Sequence, residues 1–331
     1  EQALEANQAL SQIRDRVPLK ILALHLYNFA RSQLFRWRTR HCRDHVLHTP
    51  NYILMPFPGP SVTTVHDLSY LHYPQHHPRE RIAFMERQMP RTLAQAAMII
   101  TDSEFVRREL IDLIGVAAHR IRAVPLGVET GFRPRSPVEL APVLARHDLR
   151  DSSYLLVVAT LEPRKNLLGL IDAYGRLPAL LRQRHPLVIV GARGWLTGEL
   201  ERRLEPLERG GQIKRLGYVP QADLPSIYAG AHAFVFPSLY EGFGLPVLEA
   251  MASGIPALTS NRSSLPEVAG DSALLVDPED VNALTVGLER LLTDVEWRAL
   301  AVERGLRQAS SFSWKRCVDE TVAVYQRALD R

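Results

Sequence analysis

Cysteine is scarce in this chain, which has only Cys42 and Cys317 among its 331 residues. The two lie far apart and match neither a metal-ligand spacing nor a disulfide framework, so the sequence suggests no zinc or redox role and favours a reducing cytosol. Long apolar runs are missing as well. The longest, YLLVVATL and ALHLYNFA, are too short to span a bilayer, and the first residues do not resemble a signal peptide. We therefore expect a cytoplasmic protein that is not integral to a membrane.

A strong excess of either charge is also missing. The net charge of +4 is too mild to indicate nucleic acid as a partner. One segment, LKILALHLYNFARSQLFRWRTRHCR, is nevertheless basic, with Phe35 and Trp37 interleaved among arginines and no acidic residue between Arg31, Arg36, Arg38, Arg40 and Arg43. Two interpretations stay open: an amphipathic helix on an anionic membrane surface, such as the inner face of the plasma membrane, or an ordinary helix packed on the first domain.

Short apolar or β-branched runs alternate with helical patterns along the chain. Strand candidates in the first half are HVLHTP, SVTTVHD, AMIITDS and RIRAVPLG. In the second half they are YLLVVATL, PLVIVGA, IKRLGYV, AFVFPS, IPALTS and ALLVD. This alternation is typical of βαβ units, so we predict an α/β protein with two doubly wound parallel sheets in tandem. The last helical pattern, WKRCVDETVAVYQRALDR, could pack on either domain.

The proline-rich and charged stretch from Gly127 to Asp151 contains no strand candidate. It places the domain boundary, with a first domain at 1–128, a linker at 129–150 and a second domain at 151–331. The first domain is one strand short, because such a domain usually opens with a strand and a glycine-rich turn. This chain instead begins with EQALEANQALSQIRD, and we expect the natural N-terminus to lie outside it.

The segment YEGFGLPVLEAMASGIP places Glu241 and Glu249 around a turn, with seven residues between them. A buried strand ends just before it, and Pro246 and Gly254 suit the start and stop of a helix. Glu249 would lie about one turn inside that helix and lean back towards its start. Glu241 would lie at the carboxyl end of the strand, where open α/β sheets bind ligands.

Glycines in the same turn allow backbone conformations and close contacts that a side chain would prevent. The backbone amides at the helix start, together with the helix dipole, form an anion site. Carboxylates beside an anion site repel a bare phosphate. A nucleoside diphosphate sugar resolves this conflict, because each acid can accept hydrogen bonds from hydroxyls at one end of the ligand. Arg164 and Lys165 of TLEPRKNL supply the countercharge for the diphosphate. No carboxylate cluster has a metal-ligand spacing, so we expect no metal.

These motifs, EGFGLPVLE, ATLEPRKNL and TVHDLSYLHYP, resemble the retaining GT-B glycosyltransferases of glycosyltransferase family 4, especially bacterial mannosyltransferase-like members that build surface polysaccharides. The resemblance covers almost the whole chain. It implies two Rossmann-like domains facing each other across a cleft, the first on the acceptor side and the second binding the nucleotide sugar. The family's glycine-rich N-terminal loop is not found in this sequence.

Site residues follow from the resemblance. Glu249 becomes the ligand of the ribose and Glu241 a ligand of the donor sugar. Arg164 and Lys165 become the diphosphate clamp, and His66 of TVHD reaches the donor sugar from the first domain. Tyr218 and Val219 of the loop LGYVP line the base. The remaining contacts to the donor sugar come from the backbone of the turn, at Gly242, Phe243, Gly244 and Leu245.

The implied reaction moves a hexose, with mannose favoured, from a nucleoside diphosphate sugar to a saccharide or lipid-linked saccharide with retention. GDP-mannose is the favoured donor. The departing diphosphate would take the acceptor proton, so catalysis rests on positioning and electrostatic stabilisation. Two alternatives stay open, a nucleotide-sugar 2-epimerase on the same scaffold and a non-catalytic nucleotide-sugar-binding subunit. The sequence does not specify the base, the sugar, the acceptor, the linkage or the oligomeric state.

Each site residue also has a plainer interpretation. Glu249 could be a helix-surface acid, Arg164 and Lys165 a solvated pair at a helix start, and Tyr218 a cover for the core. His66, beside Asp67, could be a satisfied structural histidine. The histidines of LHYPQHHP, at positions 72, 76 and 77, suggest a metal at first sight, but we expect a plain exposed loop near the acceptor entrance.

Overall fold

The computed structural model describes residues 30–195 and 197–330. The basic segment predicted to be helical therefore lies only partly within it: residues 30–38 are helical, and the earlier part is outside the described residues. In the described chain, no helix combines the length and the apolar character needed to cross a bilayer.

All ten predicted strands are present, and every ladder between them is parallel. The strands are β1 Leu47–Thr49, β2 Ser61–Val65, β3 Met98–Thr101, β4 Ile121–Ala123, β5 Leu155–Val158, β6 Leu187–Val190, β7 Ile213–Gly217, β8 Ala233–Phe236, β9 Ala257–Ser260 and β10 Ala273–Val276. The first sheet has the order β1-β2-β3-β4 and the second β10-β9-β8-β5-β6-β7. Two parallel α/β sheets, as predicted, thus organise the molecule.

Helices cover the faces of both sheets. They are α1 Ser69–His72, α2 Arg79–Gln95, α3 Glu104–Asp112, α4 Pro137–Arg146, α5 Leu167–Gly175, α6 Ala179–Arg184, α7 Gly198–Arg209, α8 Leu224–Ala229, α9 Leu245–Ala252, α10 Leu265–Ala269, α11 Val281–Thr293, α12 Val295–Ser310 and α13 Trp314–Leu329. Short 3₁₀ turns lie at Pro74–His76, Ala118–Arg120 and Pro163–Lys165.

The first sheet is buried on both faces because successive side chains of a strand point in opposite directions. In β3, Ile99 points to a cluster that includes residues of α2 and α3. Its neighbours Met98 and Ile100 point to the other face, where Val324 and Ala328 of α13 cover them. The final helix of the chain therefore completes the core of the first sheet.

The segment expected to be a linker, 129–150, contains helix α4. Ser136 and Glu139 form a capping box at its start, with Pro137 in the first turn. Leu140 and Leu144 are buried in the core of the second sheet. That part of the segment packs as a helix on the second domain, while the residue limits of the domains stay a prediction.

The chain crosses between the two sheets twice. The first crossing follows β4 and the second joins α12 to α13. They run side by side, since Val128 N donates to the Phe312 carbonyl at 3.5 Å. A Cβ added to Gly127 would lie 2.1 Å from the backbone nitrogen of Trp314. Only glycine fits where the two connections touch.

The two domains also touch across the cleft. Glu267 of α10 accepts hydrogen bonds from the amides of Glu104 (2.9 Å) and Phe105 (3.1 Å), at the start of α3. A carboxylate of the second domain thus satisfies amides that a helix start leaves without an intrahelical partner. The described conformation holds the domains in direct contact.

Candidate functional site

Ligand-binding side chains of open α/β sheets gather at the carboxyl ends of the strands. Here His66 follows β2, Asp102 follows β3, and Glu241 lies in the loop after β8. They border one cavity of about 250 Å³ between the domains. Its lining residues are His66, Asp67, Asp102, Leu126, Glu241, Gly242, Phe243, Gly244, Leu245 and Pro246. The two sheets therefore contribute one wall each.

Glu241 is buried and held by both predicted cations. Lys165 Nζ lies 2.6 Å from Glu241 Oε1, and Arg164 Nη1 lies 3.0 Å from Oε2. Burial alone would raise the pKa of Glu241, but the Lys165 ammonium and the Arg164 guanidinium outweigh it and hold the pKa at about 2. Glu241 is therefore a carboxylate at any physiological pH.

Arg164 is shared between three acceptors. Besides Glu241, it donates to the carboxylate of Glu162 at 2.7 Å and to the carbonyl of Tyr240 at 2.6 Å. Together with Lys165 this makes a cluster of two cations and two carboxylates at the carboxyl end of β5. In the described conformation the cations are neutralised by protein carboxylates, so a bound diphosphate would have to share them.

Glu249 lies in the second turn of α9 and does not line this cavity. Burial raises its pKa to about 7; the hydroxyl of Tyr228 counters this effect and the nearby Glu129 carboxylate adds to it. Glu249 therefore has a different set of neighbours from Glu241. The structure does not bring the two acids onto one cavity wall.

The two carboxylates around the turn thus differ in protonation because of their surroundings. Glu241 has two cations within hydrogen-bonding distance, whereas Glu249 has the hydroxyl of Tyr228 and the carboxylate of Glu129 near it. Acids whose environments push their pKa values apart are suited to different tasks. One is a fixed anion, and the other can gain a proton near neutral pH.

The turn itself is built as predicted at its helix start. Pro246 lies in the first turn of α9, and Gly254 follows the helix with a φ of +74°. Gly244 has a φ of +125°, which disfavours any other residue. Gly242 lies against the first domain, where a Cβ would be 1.8 Å from the His66 carbonyl oxygen.

Two serines outside the predicted site fix this turn. Ser263 Oγ accepts from the amide of Glu241 at 2.9 Å. Ser264 Oγ donates to the carbonyls of Glu241 (2.9 Å) and Phe243 (2.6 Å). Only their position could have pointed to them: NRSS follows β9 at the same sheet edge where the motif with Glu241 follows β8.

His66 has an acceptor at each ring nitrogen. Nδ1 lies 2.7 Å from Asp102 Oδ2, and Nε2 lies 2.7 Å from the carbonyl oxygen of Pro50. A carbonyl oxygen can only accept, so the contact with Pro50 requires a proton on Nε2, whereas Nδ1 can donate to an ionised Asp102 or accept from a protonated one. The hydrogen bond to Asp102 raises the pKa of His66 while burial opposes it. Burial in turn raises the pKa of Asp102, so the first-domain wall of the cavity carries a hydrogen-bonded pair that shares its proton between His66 and Asp102.

The two residues predicted to contact the base differ in exposure. Tyr218 is 80% exposed just after β7, whereas Val219 is 7% exposed and belongs to the core of the second sheet. Contact of Tyr218 and Val219 with the base stays a prediction.

The histidines of LHYPQHHP do not form the plain exposed loop expected. His77 is buried, with its ring 6.4 Å from that of Trp195, and Trp195 donates to the His76 carbonyl. His72 lies 2.6 Å from the Glu109 carboxylate. The sequence could not show these contacts, because Trp195 and Glu109 are distant along the chain. In the part of the chain described, no group of three or more His, Cys, Asp or Glu side chains is arranged to hold a metal ion.

Two family models match the chain. The one described as Glycosyl transferases group 1 matches residues 145–308, and Glycosyltransferase Family 4 matches residues 2–132. O-antigen chain mannosyltransferase B of Escherichia coli is 43% identical over 311 residues, which are 94% of this chain and 81% of that protein.

Solved structures share the fold at low sequence identity. A glycosyltransferase from Rickettsia africae superposes with a TM-score of 0.72 at 16% identity, covering 95% of this chain and 83% of that one. Anabaena HepE in complex with UDP and glucose superposes with a TM-score of 0.66 at 22% identity, covering 80% and 72%. These likenesses establish the two-domain GT-B architecture that the motifs implied.

Proposed function

The chain belongs to glycosyltransferase family 4, and we propose that it transfers mannose from GDP-mannose, with retention and without a metal ion, to a saccharide or lipid-linked saccharide acceptor. The enzyme class follows from the family. The choice of mannose is supported by the name of the Escherichia coli relative. Nucleotide-sugar binding is supported by the Anabaena structure, which holds UDP and glucose.

The single observation that carries the proposal is the cluster of Glu241, Lys165 and Arg164, in which Glu241 lines the interdomain cavity and the two cations lie directly behind it. A diphosphate leaving group needs positive charge, and Lys165 and Arg164 are held ready within a buried site, where such charges act more strongly than in water. Glu241 can accept hydrogen bonds from sugar hydroxyls while keeping the cations in place.

The cavity volume bears on how a donor would enter. At about 250 Å³ it is smaller than the roughly 300–1,000 Å³ that ligand pockets usually have. We infer that the described closed conformation has room for the sugar but not for a whole nucleotide sugar. Donor entry then requires the domains to separate, and their return excludes water, which competes as an acceptor.

On this proposal each wall of the cavity has one task. The second domain binds the donor through the cluster and the helix start at Leu245. The first domain contributes His66, whose Nε2–H can donate a hydrogen bond to negative charge that develops on the leaving diphosphate. The acceptor hydroxyl attacks from the first-domain side, and its proton passes to the departing phosphate oxygen.

The acceptor side carries our proposal of a peripheral membrane contact. Trp37 is 61% exposed and Leu34 48% exposed on the helix at 30–38, and Arg40 stacks over Trp37 at 4.8 Å. Apolar and cationic side chains on this exposed helix and the turn that follows it suit an anionic bilayer surface. Charge reversal at Arg36, Arg38 and Arg40 should abolish flotation with anionic liposomes, and unchanged flotation would refute the contact.

The proposed reaction is tested by incubating the protein with GDP-mannose and mannosylated acceptors, with and without EDTA, and determining the product anomer by NMR. We expect an α-linked product and a rate that EDTA does not change. Donor epimerised at C2 without transfer would favour the epimerase alternative. Binding of the donor with no product would favour a non-catalytic subunit.

A further inference from the structure

Glu241 is flanked by two residues that reach across the cleft. On one side, the hydroxyl of Tyr240 accepts from the amide of Leu68 at 3.0 Å and donates to the carboxylate of Glu109. On the other, the carbonyl of Gly242 accepts from the hydroxyl of Ser103 at 2.7 Å. The backbone before and after Glu241 is therefore anchored in the first domain.

The anchor of Tyr240 is a buried polar network. Tyr240 is 4% exposed and Glu109 8% exposed, and His72 shares the Glu109 carboxylate at 2.6 Å. The Tyr240 ring packs among His72, Tyr73 and Phe105, with ring centroids 5.1–6.1 Å apart. Because all three neighbours belong to the first domain, the hydroxyl and the ring both depend on closure of the cleft.

The side chain of Glu241 has a different dependence. Its cation partners, Lys165 and Arg164, lie in the second domain with it. These ion pairs can persist when the domains part, whereas the bonds of Tyr240 and Gly242 to the first domain cannot. The charge of the acid is set by one domain and its backbone position by the other.

We propose that Tyr240, supported by Ser103, is a positioning residue that places Glu241 for sugar transfer only when the two domains are in contact. The proposal rests on the proposed function and adds a residue to it. The two ends of the donor are then bound differently. The second domain alone binds the nucleotide, whereas Glu241 is placed to hold the sugar only when the cleft is closed. Loss of the Tyr240 hydroxyl should then lower kcat and leave nucleotide affinity unchanged.

The test is Tyr240→Phe, which keeps the packed ring and removes both hydroxyl bonds. We expect kcat to fall about tenfold or more, the effect of losing a hydrogen bond to a charged group, with the Kd for GDP within about twofold of the wild-type value. Glu109→Gln keeps an acceptor for the hydroxyl and should retain most of the rate. A purely structural role would instead shift both kinetic constants together with thermal stability.

Tyr325→Phe is the matched control, because its hydroxyl bonds His48 at 2.6 Å away from the cleft. It should behave as wild type. If Tyr240→Phe does not fold, Ser103→Ala takes its place and should show the same split between kcat and GDP affinity. Wild-type kcat in the folded Tyr240→Phe variant, or an equal loss of GDP affinity, would overturn the proposal.

A readout independent of activity separates this proposal from the proposed function. Small-angle X-ray scattering of the ligand-free protein should give a larger radius of gyration for Tyr240→Phe than for the wild type and Tyr325→Phe. An inactive wild type with this difference would sink the proposed function and keep the role of Tyr240 in closure. Identical scattering from an inactive wild type and variant would overturn both.

Discussion

At the scale of single residues, the pairing of Lys165 with Glu241 makes a sharp prediction. Lys165→Ala leaves Glu241 paired with Arg164, so we expect the fold to persist. Turnover should fall about 100-fold, because one preorganised charge at the leaving group is lost. Steady-state kinetics against Lys214→Ala, which breaks a surface pair with Asp148, is the comparison. Equal rates in the two variants would refute the diphosphate clamp.

Glu241→Ala should lower turnover by a similar factor and lower stability as well, because it leaves Lys165 and Arg164 buried with less countercharge. Thermal unfolding measured beside the kinetics distinguishes the two losses. A Glu241→Ala variant with wild-type turnover would contradict any role of this acid in holding the donor.

Glu249 gives a prediction about pH. Its pKa is about 7 in the folded protein against an ordinary value of 4.5, so the folded state binds the proton more tightly than the unfolded state. Stability is therefore lost as pH rises from about 4.5 to about 7, by up to about 3 kcal/mol. Glu249→Gln lacks this titration, and its Tm relative to wild type should rise by a few degrees between pH 5 and pH 8. A constant difference would contradict the raised pKa.

The sequence predicts a site residue only when that residue belongs to a recognisable local motif. Glu241, Arg164 and Lys165 were identified because their types and spacing resemble a family pattern, and the structure brings them together. Tyr240, Ser103 and Glu109 were not, because their roles arise from contacts between residues more than 130 positions apart. Nothing in a local pattern indicates such a pairing.

At the scale of elements, the turn between β8 and α9 depends on the absence of one side chain. Gly242→Ala would place a Cβ 1.8 Å from the His66 carbonyl oxygen, a backbone atom that cannot rotate away. The domains would have to move apart locally, and we expect turnover to fall about 100-fold with little change in Tm. Gly175→Ala, where an added Cβ meets nothing within 4 Å, is the control in the same assays. Unimpaired turnover in Gly242→Ala would mean that the cleft need not close this tightly.

The strands were predictable because fully buried parallel strands read as short apolar runs between turn residues. LLVV of β5 and LVIV of β6 are plain examples. Helix α4 was not predicted, because a proline-rich segment is typical of a linker. Pro137, however, lies in the first turn of the helix, where proline is well tolerated. The period of the apolar residues predicts most helices and strands. In a proline-rich segment, capping residues such as Ser136 and Glu139 must be considered as well.

At the scale of the whole molecule, the final helix ties the end of the chain to the first sheet. Val324 is buried against Val62, Met98 and Ile100. Val324→Ala should destabilise the first domain by about 2 kcal/mol through the cavity it leaves. Hydrogen exchange should show amides of β2 and β3 losing protection before those of β5 and β6. Uniform loss across both sheets would contradict a local effect.

The sequence left the partner of α13 open, and for a physical reason. An apolar stripe shows that a helix packs on something, but both sheets offer apolar surfaces of similar kind. The choice is made by geometry: the close passage of Gly127 and Trp314 directs the helix onto the first sheet.

That passage also constrains how the molecule can move. The two connections between the domains run side by side. Such a pair of backbone segments can bend together as a hinge, but it resists twisting of one domain relative to the other. We therefore expect the cleft to open by a swing about these two connections, and closure to return the His66 carbonyl to Gly242. On this view the two connections keep the domains aligned, so that closure places the same residues opposite each other in every catalytic cycle.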